Sequence, residues 1–275
     1  MSKLAQRIII AIVMLSVVAG LLFLNGWPLF IGMVILAMMA EYEMSGAVGS
    51  DGDPVCRPIL FAFTLLLPAA FYFFGFAGAF VTCALLVCAL FTASLFIKKY
   101  TMDSVIKGCF SFFYPQALFM FFYATIIRSG GMEFVSPETN RFVMIATAAI
   151  SILTDTMAYF IGSAIGRHKL CPSISPHKSI EGAIAGLVGG ALGAALVMVI
   201  FRHSGIVIWA YMLFSVLLSA LSQLGDLSAS LVKRRFGIKD YSRILGEHGG
   251  IMDRLDSILF IMPYSYIFFF MIMGV

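Results

Sequence analysis

Acids and bases alternate in one stretch of this chain, Ser222 to Ser257, SQLGDLSASLVKRRFGIKDYSRILGEHGGIMDRLDS. It holds six of the eighteen Lys and Arg residues and five of the fourteen Asp and Glu residues. Asp226, Asp253 and Asp256 offer hard carboxylate oxygens. Such ligands suit Mg²⁺, which usually takes one or two carboxylates plus substrate phosphates. Asp253 and Asp256 stand three apart and share a face if the segment is helical. Lys233-Arg234-Arg235, Lys239, Arg243 and Arg254 supply ammonium groups and guanidinium forks, which bind phosphate oxygens. His248 is a candidate base or ligand, and Gly237, Gly246, Gly249 and Gly250 lie among these groups. Carboxylates for a metal and cations for phosphates are the components of phosphoryl transfer. Two plainer readings compete: structural salt bridges among the same side chains, and a basic cluster that meets anionic headgroups. The second needs no interleaved acids.

A further carboxylate, Asp155, lies inside the apolar run from about Phe142 to Ile161. A charged group at membrane depth costs roughly 2.5 kcal/mol or more and normally has a partner or a function. Downstream of it lies a second charged segment, Arg167-His168-Lys169 through Pro176-His177-Lys178-Ser179 to Glu181-Gly182.

The elements that must position these groups are membrane helices. The 275 residues are 61% hydrophobic and only 12% charged. A soluble domain is nearer one quarter charged, and runs of about 20 apolar residues mark spans. Nine are expected: about Ile8–Leu24, Leu29–Met44, Pro58–Phe74, Phe76–Ile97, a fifth ending near Ile127, Phe142–Ile161, Ala183–Phe201, Ile206–Gly225 and Ile258–Met273. The third and fourth are split by a tight turn at Gly75. With the N-terminus inside, fifteen of the eighteen Lys and Arg residues fall on the inner side; only Arg128, Arg141 and Arg202 fall outside. That split obeys the positive-inside rule. The expectation is an all-α polytopic membrane protein with a cytoplasmic N-terminus and an outer C-terminus, both charged loops facing the cytoplasm. It forms a single integral-membrane domain over 1–275. Helices fill 1–140; the helices and loops that carry the site fill 141–275. Gly186, Gly189, Gly190 and Gly193 let helix backbones approach closely, within the chain in preference to a dimer seam. The five cysteines form no CxxC pair, and their odd number argues against a disulfide framework.

The stretch Ser228 to Asp256 resembles the signature of the phosphatidate cytidylyltransferases, or CDP-diacylglycerol synthases. Ser230, Lys233, Arg234, Lys239, Asp240, His248-Gly249-Gly250, Asp253, Arg254 and Asp256 stand at that family's spacing. A second block, Asp155 to Gly182, is similar to the family's pattern of an Asp, an Ala-Tyr pair, Gly-Arg and Ser-Pro-x-Lys-Ser-x-Glu-Gly. Gly246 stands where many members carry Pro, a difference the pattern tolerates. The two blocks cover about the C-terminal half.

The resemblance implies that CTP and phosphatidate yield CDP-diacylglycerol and pyrophosphate. It implies Mg²⁺, with a second cation beside it in some members, and a homodimer. The expected setting is a bacterial inner (cytoplasmic) membrane, with membrane lipid as partner and no nucleic acid. By position, Asp226 and Asp253 become metal ligands. Ser230, Lys233, Arg234 and Asp256 become catalytic groups. Asp155, Lys178, Ser179, Lys239, Arg243, His248 and Arg254 become substrate contacts. The alternative from another class is a membrane transporter for an anionic substrate. Against it, the charges gather on one side and no internal repeat is present. The Asp-Gly-x-x-Ala-Arg motif of CDP-alcohol phosphotransferases is absent.

Overall fold

Long apolar runs with few breakers must satisfy their backbone polar groups internally, which in a bilayer means helices. The computed structural model describes residues 3–49, 52–128, 132–201, 207–246 and 249–274, the side chains of 3–9 and 11 excepted. Its elements are α1 (Lys3–Leu24), α2 (Gly26–Val48), α3 (Arg57–Phe96), α4 (Met102–Ile126), α5 (Pro137–Ile165), β1 (Lys169–Cys171), β2 (Ser175–Ser179), α6 (Ile180–Phe201), α7 (Ile208–Arg235) and α8 (Met252–Tyr266), which widens into a π-helical turn over Ile267–Ile272. Among the described residues, seven helices are long and apolar enough to cross a membrane, and Ile12–Leu24 is a shorter apolar helix. The protein is an all-α polytopic membrane protein.

The described chain forms two compact units. The first joins Met1–Pro137 to Arg235–Arg254; the second joins Glu138–Arg234 to Leu255–Val275.

In the first unit α2, α3 and α4 pack on one another. Their core includes Leu29, Met33 and Met44 of α2, Phe71 of α3, and Phe112 and Phe119 of α4, all buried. The turn expected at Gly75 is present: this residue has φ 61° and ψ −147° inside α3, a region that only glycine enters readily. The chain folds back there, so a Cβ on Gly78 would collide with the carbonyl oxygen of Ala70. In a straight helix those residues would lie roughly 12 Å apart. Thr101 begins α4 with a reciprocal capping box to Ser104.

In the second unit α5, α6 and α7 meet through small and hydroxyl-bearing residues. A Cβ on Gly189 would strike the Leu153 carbonyl, and one on Gly193 would stand 2.7 Å from that of Ala149. The glycine face of α6 is thus used inside the chain, against α5. Ser219 Oγ donates to the Gly186 carbonyl at 2.8 Å and lies 2.7 Å from Thr154 Oγ1, while Ser151 and Ser222 pair at 2.9 Å. Such hydroxyl bonds hold helices together where lipid gives no hydrophobic driving force. Phe142, Ile150, Tyr211, Leu218, Ile261 and Phe269 fill the apolar core.

Two expectations need correction. The segment after α5 is not wholly irregular: β1 and β2 form an antiparallel hairpin with Lys169 opposite Ser179 and Cys171 opposite Ser175. It turns over Ile174, whose N–H donates to the Cys171 carbonyl at 3.2 Å. Helix α7 also does not stop near Gly225. It runs to Arg235, because the charged residues that follow are good helix formers and no breaker intervenes before Gly237, at φ 65°.

Candidate functional site

The extension of α7 places Asp226, Ser230 and Lys233 at positions i, i+4 and i+7, one above the other on a single helix face. The β-hairpin brings Lys178 to this face: its Nζ stands 2.5 Å from Asp226 Oδ2, an ion pair and not a directional hydrogen bond. Both side chains are partly accessible. Asp226 also acts electrostatically on Asp155 of α5 and on Asp256 of α8; Lys178 acts on Asp155, and Lys233 on Asp256. Asp155 accepts a hydrogen bond from the Ser257 hydroxyl. Asp256 is 8% exposed, and its Oδ1 accepts from the Ser257 N–H at 2.7 Å. Arg234 donates through Nε to the Ile174 carbonyl at 3.3 Å, tying α7 to the hairpin turn. The second unit therefore gathers Asp155 and Lys178 of one sequence block, Lys233 and Asp256 of the other, and Asp226, two residues before it.

Ser179 takes a local part in the same unit. It precedes α6, and its Oγ accepts from the N–H of Gly182, three residues on, at 3.2 Å. This is an N-cap. Glu181 accepts from the N–H groups of Arg167 and His168 and pairs with His168 Nδ1 at 2.7 Å, closing the turn before β1.

Asp253 belongs to the first unit. Its Oδ2 accepts two backbone bonds, from Tyr241 N and Gly250 N, both 2.9 Å. Together with the bond from Leu245 N to the Gly249 carbonyl at 3.0 Å, these fold the signature loop on itself. Lys239, Arg243 and Arg254 are exposed on this loop and on the first turn of α8. His248 lies outside the described residues. Ile244 rests at α2 and α3, where it lines an apolar groove of about 390 Å³ with Met38, Tyr42 and Phe61.

Sequence reasoning missed Glu43. It is 1% exposed, and three donors from the loop converge on its carboxylate. Ser242 Oγ lies at 2.6 Å and Ile251 N at 2.9 Å from Oε1, and Met252 N at 2.8 Å from Oε2. One signal was available: an acid near the end of an apolar helix carries a cost that calls for a partner. Nothing in the sequence named a partner two hundred residues away. Two residues earlier, on the other side of α2, Glu41 is fully buried with Ser111 Oγ at 2.9 Å and Gln116 Nε2 at 3.5 Å, linking α2 to α4.

Among the described residues, no three His, Cys, Asp or Glu side chains close on a point as a preformed metal cage. The carboxylates of the second unit face ammonium groups and one another instead.

A model of the cytidylyltransferase family matches residues 5–272. The phosphatidate cytidylyltransferase of Staphylococcus haemolyticus is 35% identical over 94% of this chain and 95% of its own length. The enzyme of that name from Staphylococcus aureus is 35% identical with the same coverage. That of Staphylococcus epidermidis is 40% identical over 63% of this chain and 65% of its own.

Proposed function

We propose a reaction for this chain, which belongs to the cytidylyltransferase family and is a nucleotidyltransferase: it transfers CMP from CTP to phosphatidate. A phosphate oxygen of phosphatidate forms a bond to the α-phosphorus of CTP. The bond from that phosphorus to the bridging oxygen breaks, and pyrophosphate leaves with CDP-diacylglycerol as the lipid product. The observation that carries this reading is the meeting of Asp155, Lys178, Asp226 and Asp256 in one unit. Asp155 and Lys178 come from one sequence block, Asp256 from the other and Asp226 from just before it, and one site that uses both blocks accounts for their meeting.

The nucleophile is already an anion near neutral pH, since a phosphate monoester has its second pKa near 6. It needs no strong general base. It needs relief from repulsion, because one polyanion must approach another. Lys233, Arg234 and Lys178 provide positive charge at the hairpin end of α7. Lys178 holds Asp226 in the state described and can turn to a phosphate oxygen when substrate arrives. Ser230, on the face of Asp226 and Lys233, donates to a phosphate, and Asp256 completes the buried side of this group. Lys239, Arg243, Arg254 and His248 are assigned to substrate phosphates from the signature loop, and Asp155 to the nucleotide side.

Asp226 and Asp253 are the residues proposed to hold Mg²⁺. The donor chemistry fits: hard oxygens, with no thiolate or imidazole among the gathered groups. An ion that takes one or two carboxylates plus substrate phosphates needs no preformed three-residue cage. Asp253 already has its orientation fixed by two amide bonds, as ligating carboxylates commonly do. When bound, the ion neutralises charge on the reacting phosphates and the leaving pyrophosphate. A second cation beside it belongs to the same proposal.

The lipid's phosphate lies at the membrane interface, and its acyl chains leave the bilayer only at high cost. The site is therefore assigned to the cytoplasmic face of a bacterial inner membrane. The chain crosses nine times from a cytoplasmic N-terminus and works as a homodimer. The test is purified protein in detergent with labelled CTP, phosphatidate and Mg²⁺, scored for CDP-diacylglycerol. Product should form with Mg²⁺ or Mn²⁺, fail with EDTA and form poorly with Ca²⁺. Full turnover in a chelated sample removes the metal from the mechanism. No product with any divalent ion moves the reading to transport of an anionic substrate.

A further inference from the structure

Glu43 does not belong to either sequence block, yet its carboxylate lies at the centre of the folded signature loop. Ser242 Oγ, Ile251 N and Met252 N all donate to it, from positions 199 to 209 residues along the chain. The last two donors are at the N-terminus of α8, where amide groups lack helical acceptors and a negative charge is favoured. Space is reserved for the contact as well. A Cβ on Gly250 would stand 2.5 Å from Glu43 Oε2, so any side chain at 250 would push the carboxylate from its place. Ser242 is tied in again from the other side, its Oγ accepting from Ile244 N at 3.1 Å.

A local cap would suffice to start α8, and Asp253 already serves as one by accepting from Gly250 N. Glu43 adds a hold from another helix. It grips the loop on both sides of its turn, at Ser242 beside Arg243 and at Ile251-Met252 beside Asp253-Arg254. Those neighbours are the residues assigned above to phosphate and metal. We propose that Glu43 is a positioning residue for the cytidylyl transfer, acting through the loop to fix Arg243, Asp253 and Arg254 in the arrangement the transition state requires. This rests on the reaction proposed above. Hydrogen bonds to a charged acceptor are about twice as strong as neutral ones, and a misplacement of about 1 Å in a positioned group can cost roughly 10²-fold in rate.

The test compares Glu43→Gln, Glu43→Asp and Ser242→Ala in the full chain in detergent. Glu43→Gln keeps the size of the side chain but turns an NH₂ group toward donors. Its kcat per folded molecule should fall at least tenfold, with KM for CTP and for phosphatidate within about threefold of wild type. Glu43→Asp retains the acceptor and should recover part of the loss. Ser242→Ala removes one of three bonds and should lose less than Glu43→Gln. Amide exchange at Ile251 and Met252 should accelerate at least tenfold in Glu43→Gln. That measurement needs no substrate, so it holds even if wild-type protein makes no CDP-diacylglycerol, which would defeat the reaction and not the grip. Wild-type kcat in Glu43→Gln overturns the proposal, as does a loss carried wholly by KM or by the folded fraction, or unchanged amide exchange. If Glu43→Gln does not accumulate, Ser242→Ala decides, and an unchanged kcat there overturns it.

Discussion

Two sets of carboxylates, one in each unit, are held in opposite ways. In the second, Asp226 meets Lys178, Asp155 meets a serine hydroxyl, and Asp256 lies under the influence of Lys233. Most of those partners are side chains, which can rotate and exchange one anion for another. In the first, Glu43 and Asp253 meet backbone amides: Ile251, Met252, Tyr241 and Gly250. A backbone amide cannot leave its acceptor without the fold changing. Identical chemistry thus gives an adaptable site in one place and a fixed support in the other, and the partner decides which. Desolvated carboxylates demand partners in both, so burial alone does not tell the two apart.

The largest test of this contrast is charge removal at the two proposed metal ligands, which lie on opposite sides of it. Asp226→Asn and Asp253→Asn should each abolish turnover. The double mutant should be hardly worse than either, since residues that act as one unit are strongly non-additive. Their side effects should differ. Asp226→Asn leaves Lys178 without its ion pair but disturbs no backbone, so its amide exchange should match wild type. Asp253→Asn puts an amide where two N–H groups converge and should loosen Tyr241 and Gly250. Activity in either single mutant, or inactivity only in unfolded protein, returns that aspartate to a structural role. Mg²⁺-dependent thermal shift beside turnover makes the comparison.

A smaller effect is expected from the cation. Lys178→Ala should lower activity by one or more orders of magnitude, as for a lost charge-assisted contact of about 1.5–3 kcal/mol. Lys98→Ala, at an exposed position after α3, should be near neutral. Equal losses at both would mean that bulk positive charge matters and the Asp226 partner does not.

What the sequence made legible follows from the range of the forces involved. Spans are local: an apolar run long enough to cross a membrane reads directly, and so does the Gly75 turn. The end of α7 was misplaced because charge was taken as a sign of loop, whereas Lys and Arg continue a helix well and Gly237 is the breaker. The β1–β2 hairpin is too short for periodicity to mark it. Asp155 and Lys178 could be named as functional from one block, and Asp226 from its place just before the other, but their meeting depends on a hairpin and two helices. Glu43 was missed because its donors lie near the other end of the chain.

The smallest predicted effect concerns Ser179, which the sequence placed among substrate contacts and which sits beside Lys178 in the same block. Its Oγ accepts from Gly182 N at the start of α6, and the side chain is buried at 6% exposure. A capping serine replaced by alanine typically costs about 1 kcal/mol, or a fall of about 2–4 °C in Tm for a chain of this size class. If capping is its whole task, Ser179→Ala should show that shift with kcat within about threefold of wild type, since Lys178 keeps its place on β2 through the Lys169–Ser179 backbone pairing. A substrate contact predicts the reverse, with Tm unchanged and KM for one substrate raised tenfold or more. Ser179→Asp separates them further, because aspartate caps a helix as well as serine does but brings negative charge to a place meant for phosphate. Stability restored with activity intact would assign Ser179 to the fixed support. Stability restored with activity lost would move it to the adaptable side, beside Lys178.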